Sequence, residues 1–105
     1  MKINITARNF DLSDALRDYI TKKIEKMKRF EHYILDTNMI MEKDKGTSII
    51  ELTLAVKHSS ITSRVKNPDI YMGINDSVKK VERQLEKYEA KFRERKRQAQ
   101  KARRK

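Results

Sequence analysis

At 105 residues, the chain is long enough for one small domain. It is strongly basic, with 26 Lys and Arg against 15 Asp and Glu and a formal net charge of +11. Cysteine is absent, which excludes disulfides, thiolate catalysis and Cys-ligated zinc, and the charge points to a polyanionic partner, nucleic acid ahead of an anionic membrane.

The opening MKINITARNF has no continuous apolar core of the kind a secretory signal needs, and no apolar run approaches bilayer length. The expectation is a soluble cytoplasmic protein with no membrane partner.

Within MKINITA, Ile3 and Ile5 share one face of a short predicted strand. Ser13 is placed to cap a helix, with Asp14 in its first turn. Leu16, Tyr19, Ile20, Ile24, Met27 and Phe30 follow at helical spacing, which predicts a helix ending near Glu31 and His32. A strand is expected over Leu35 to Glu42, then a turn at Lys43 to Thr47. From Ser48 to Val56, Ile50, Leu52, Leu54 and Val56 alternate with Glu51, Thr53 and Ala55, the clearest strand in the chain. His58, Ser59 and Ser60 turn into a third antiparallel strand over Ile61 to Lys66.

Asn67-Pro68-Asp69 ends that strand and offers Asp69 as the cap of a long helix. Ile74, Val78, Val81, Leu85, Tyr88 and Phe92 step by four and three, one buried stripe. The order β-α-β-β-β-α predicts an α+β sandwich, two helices on one face of a four-stranded, mainly antiparallel sheet. Residues 1–92 form the domain. Residues 93–105 carry eight basic residues and one acidic one, a basic tail expected to be disordered or a helix extension.

The long helix sorts its charges. At about 100° per residue, Lys80, Arg83, Lys87 and Lys91 form one column beside the apolar stripe, and Glu82, Glu86 and Glu89 form another on the opposite flank. The i,i+4 couples Lys79–Arg83, Glu82–Glu86, Arg83–Lys87 and Lys87–Lys91 are all like-charged. Opposite charges there would each stabilise by roughly 0.2–0.5 kcal/mol, and like charges cost a similar amount. Helix stability alone would not select this pattern. Lys22, Lys26 and Arg29 share a sector of the first helix, so two packed helices are expected to merge their columns into one basic surface that follows a phosphate backbone. That surface has little with which to read bases.

Other chemistry finds no support. His32 and His58 are isolated and read as surface or turn residues. Asp14 and Asp18 fit a solvated helix face better than a carboxylate dyad. Met27, Met39, Met41 and Met72 read as core packing. Two glycines, Gly46 and Gly73, cannot build a phosphate-cradling loop. Ser13, Ser48, Ser59, Ser60 and Ser63 lack a nucleophile-elbow context. No catalytic residue, metal site, cofactor or small-molecule substrate is expected. These residues alone leave open a general double-stranded-RNA binder, or a peripheral membrane protein anchored by its basic tail.

Three segments narrow the choice: INIT at residues 3–6, DLSDALRDYITKKIEKMKRFE, and PDIYMGINDSVKKVERQLEKYEAKF. With the helix start D-[IM]-Y-x-[AG]-I-[DN] and the core K-[LV]-x-R-Q-L-x-K, they resemble the ribosome hibernation-promoting factor and ribosome-associated inhibitor family over about residues 2–92. The resemblance implies a fold similar to a double-stranded-RNA-binding domain with an extra N-terminal strand. It implies a non-enzymatic protein, monomeric off the ribosome, that binds the small ribosomal subunit. There it would lie in the channel for mRNA and tRNA, contact 16S rRNA phosphates through both helices, and stop initiation in resting cells. The matching basic positions are Lys23, Lys26 and Arg29, then Lys80, Arg83, Lys87 and Lys91. Lys23 enters through the resemblance, whereas the helical wheel favours Lys22. Arg93, Arg95, Lys96 and Arg97 are further expected contacts in the tail. Long members carry a second, dimerising domain after a linker, which residues 1–105 do not include, so whether ribosomes bound by this chain pair or stay single is left open by the resemblance. The tail is basic where some short members have an acidic one.

Overall fold

A computed structural model describes residues 2–103 of the chain, with side chains over 2–98. The elements are β1 (Asn4–Arg8), α1 (Asp14–Glu25), a 3₁₀ helix (Lys28–Tyr33), β2 (Ile34–Asp44), β3 (Thr47–Val56), β4 (Ser59–Asn67) and α2 (Ile70–Arg103). The sheet runs β1-β2-β3-β4. β1 lies parallel to β2, and β2, β3 and β4 pair antiparallel, as expected of an α+β layer with one crossover helix.

Alternation decides which face of the sheet is covered. Met39 and Met41, then Ile50, Leu52, Leu54 and Val56, then Ile61 and Val65 are buried, while their neighbours are partly or fully exposed. Leu16, Ile20 and Ile24 from α1 close over this face with Ile74, Val78, Val81 and Leu85 from α2. Each such side chain contributes about 1.5–3 kcal/mol by leaving water. One polar contact crosses the core, where Ser63 Oγ lies 2.7 Å from Ser77 Oγ and donates to the Ser77 carbonyl at 3.1 Å when it is the donor. The β2–β3 turn is Lys45-Gly46, both at positive φ, the geometry that suits a two-residue hairpin.

Ser13 caps α1 as expected, its Oγ accepting from Leu16 N at 3.1 Å. The helix does not reach Glu31, however. It ends at Glu25, and the chain tightens into the 3₁₀ helix. Ile24, Met27, Phe30 and Tyr33 are all buried at intervals of three, the repeat of a 3₁₀ helix rather than of an α-helix. Met27, Met39 and Met41 are fully buried, but Met72 is 56% exposed because it lies on the outward side of the first turn of α2. Beyond Phe92, α2 continues to Arg103, so the segment 93–103 extends the helix; residues 104 and 105 of the tail lie outside the described residues.

Candidate nucleic-acid interface

Asp69 starts α2, its Oδ1 accepting from Tyr71 N at 2.9 Å. Two contacts then tie α2 to the first helical segment, one to α1 and one to the 3₁₀ helix that follows it. Tyr19 Oη donates to the Tyr71 carbonyl at 3.1 Å, and the two rings meet edge to face at 4.9 Å. At the other end, the Arg29 guanidinium pairs with Glu86 Oε1 at 2.9 Å. Both partners of this pair are more than half exposed, so it contributes about 0–1 kcal/mol and acts mainly as a positional restraint.

A groove runs between these ties. Lys23 and Lys26 line it from α1, and Lys79 and Arg83 line it from α2, together with Glu82 and Glu86. Four cations against two carboxylates leave it positive. Lys23 is half-buried and its Nζ sits 5.3 Å from the Tyr19 ring centroid, close enough for a weak cation–π attraction that holds it at the rim. Arg29 also stacks its guanidinium 4.1 Å from the Phe30 ring.

The expected single surface is therefore corrected in its layout. Lys23, Lys26 and Arg83 come together, with Arg29 beside them. Lys87 and Lys91 do not join that groove. They face the β3–β4 turn, around a second recess shared with Lys57, His58 and Arg95. The cause is the helical step: the flank of α2 that turns toward α1 is the one carrying Glu82 and Glu86, so the acidic column, not the basic one, borders α1. Arg83 lies between the two flanks. Lys22 and Lys80 are exposed and line neither depression; Arg93 pairs with Glu89 at 3.5 Å, and Lys96 and Arg97 are exposed.

Lys79 lines the first groove and Lys57 the second recess, two positions beyond the basic columns of the helical wheel. Lys79 sits one turn before Arg83, a visible signal. Lys57 reaches α2 only through the strand register, which composition does not reveal. Among the described residues, no group of His, Cys, Asp and Glu could hold a metal ion, and no helix is long and apolar enough to cross a membrane.

The family model described as Sigma 54 modulation protein / S30EA ribosomal protein matches residues 3–93. A ribosome hibernation promoting factor of Azotobacter vinelandii is 34% identical over 91 residues, covering 87% of this chain and 85% of that protein. The ribosome hibernation promotion factor of Bacillus subtilis is 32% identical over 95 residues, which span 87% of this chain but 50% of that protein. The solved structure of a ribosomal subunit interface protein from Coxiella burnetii superposes with a TM-score of 0.80 at 28% identity, over 86% of this chain and 99% of that one. With the family model matching residues 3–93, nearly the whole domain, the chain belongs to the Sigma 54 modulation protein / S30EA ribosomal protein family.

Proposed function

We propose that this protein is a non-enzymatic ribosome hibernation factor that binds the small ribosomal subunit in the channel used by mRNA and tRNA, and so blocks initiation in resting cells. The observation that carries the reading is the groove between α1 and α2, where Lys23, Lys26, Lys79 and Arg83 converge from two helices tied side by side. The names of its relatives, hibernation promoting factors and a ribosomal subunit interface protein, supply the ribosome as the source of the phosphates. Affinity comes from cation–phosphate contacts to 16S rRNA with release of counterions; specificity comes from the fit of the two-layer body to the channel. Lys80, Lys87, Lys91 and the exposed tail cations Arg95, Lys96 and Arg97 extend the charged surface along α2.

The test is displacement. Small subunits are loaded with labelled mRNA and initiator tRNA and titrated with the protein. Release of both ligands at near-stoichiometric protein is the expected result, and an excess of plain RNA duplex should barely reduce it. Retention of both ligands on subunits saturated with the protein would contradict channel occupancy, and ready rescue by duplex would identify a general double-stranded-RNA binder.

A further inference from the structure

The second recess differs from the first in composition. It lies between the β3–β4 turn and α2, about 390 Å³ in volume, within the roughly 300–1,000 Å³ range of small-ligand sites. Lys57, Lys87, Lys91 and Arg95 surround it with His58, and no carboxylate lines it. Tyr88 and Phe92, both half-buried, contribute ring surface to the same recess.

These rings are fixed before any ligand arrives. Tyr88 Oη donates to the Lys57 carbonyl at 2.9 Å, which locks the turn to the helix. Tyr33 meets Tyr88 at 5.5 Å and Phe92 at 5.4 Å between centroids, both edge to face. His58 holds the turn in the left-handed region at φ 66°. Cations at the rim and fixed aromatic surface within are the two components that proteins combine to hold single-stranded nucleic acid, the first for phosphate and the second for a base.

We propose that this recess is a second RNA site that takes one unstacked nucleotide of a single-stranded segment. Its phosphates lie against Lys57, Lys87, Lys91 and Arg95, and its base packs on Tyr88 and Phe92. The site deepens the ribosomal reading and rests on it for the source of the RNA. It also adds aromatic surface for a base, which the lining of the groove between α1 and α2 lacks.

The probe is a single-stranded hexaribonucleotide with a central 2-aminopurine, whose fluorescence is quenched on stacking, titrated into the full chain at about 50 mM salt. Binding with quenching is expected. Lys57→Glu with Lys91→Glu should weaken it at least about tenfold with an unchanged melting temperature. Phe92→Leu, which keeps the apolar bulk, should reduce the quench while leaving most of the affinity. Lys2→Glu with Lys45→Glu, the same charge change at exposed positions that line neither depression, should preserve the quench. Equal binding by the Lys57/Lys91 variant, or loss of the quench in the Lys2/Lys45 variant, overturns the proposal. So does tighter binding to phosphatidylglycerol vesicles than to the hexamer, which would make the recess a lipid-headgroup site. Pelleting of the wild-type protein with small subunits, run in parallel, separates the two readings. Pelleting without quenching sinks the nucleotide site alone, and quenching without pelleting sinks the ribosomal reading while the RNA site stands.

Discussion

The Arg29 guanidinium and the Glu86 carboxylate meet at 2.9 Å across the gap between the 3₁₀ helix and α2, so a cation beside the groove is already neutralised by one of the groove's own carboxylates. Removing that carboxylate should release Arg29 for phosphate. Glu86→Gln is expected to raise affinity for small subunits several-fold at low salt. The melting temperature should stay within about 5 °C, because an ion pair this exposed contributes at most about 1 kcal/mol. Subunit binding curves and thermal melts check both halves.

Salt dependence should count the contacts. If the groove cations each touch a phosphate, charge removal at Lys26 or at Arg83 lowers the slope of log affinity against log salt by about one. The same change at Lys2, exposed before β1 and distant from the groove in sequence and topology, should leave the slope unchanged. Slopes measured over about 50–200 mM salt distinguish these outcomes.

The buried Ser63–Ser77 contact predicts an asymmetry. Ser77→Ala leaves Ser63 Oγ able to donate to the Ser77 carbonyl, already 3.1 Å away. Ser63→Ala instead strips Ser77 Oγ of its 2.7 Å partner in a site closed to water. Ser63→Ala is expected to cost about 1–3 kcal/mol and Ser77→Ala less, by chemical denaturation. Equal costs would mean that the hydroxyl pair, not the carbonyl contact, carries the stabilisation.

Two leucines with the same side chain should behave oppositely. Leu85 is fully buried at the centre of the apolar stripe of α2, and Leu85→Ala should cost about 2–5 kcal/mol. Leu35 sits where the β2–β3 register shifts between Ile34 and Asp36, a bulge that leaves it 71% exposed, and Leu35→Ala should fall within about 0.5 kcal/mol of zero.

Leu35 also marks where sequence reading loses its grip. The strands, both helix starts and most of the core follow from local patterns: the alternation of Ile50 to Val56, Ser13 and Asp69 as caps, and the 4-3-4 stripe from Ile74 to Phe92. A bulge inverts the facing of one residue without changing composition, so Leu35 reads as an ordinary strand leucine. The end of α1 is not legible in the sequence because Met27 and Phe30 satisfy both a 3.6- and a 3.0-residue repeat over so short a span; Tyr33, the third step of three, is the residue that separates them. In the candidate interface, the charge columns of α2 were legible from its wheel. Which column faces α1 was not, because that depends on how the helix is rotated on the sheet. Lys57 comes to share a recess with Lys87 and Lys91 through the packing of the β3–β4 turn against α2, a juxtaposition that no local pattern encodes.

The central claim is that cations converging from α1 and α2 attach this protein to the small ribosomal subunit. Co-sedimentation of small subunits with the wild-type chain and with a Lys23→Glu, Lys26→Glu, Arg83→Glu variant tests it most directly, given equal melting temperatures. The account predicts that the wild type pellets with the subunits and the variant stays in the supernatant. Equal amounts of the two proteins in the pellet would contradict it.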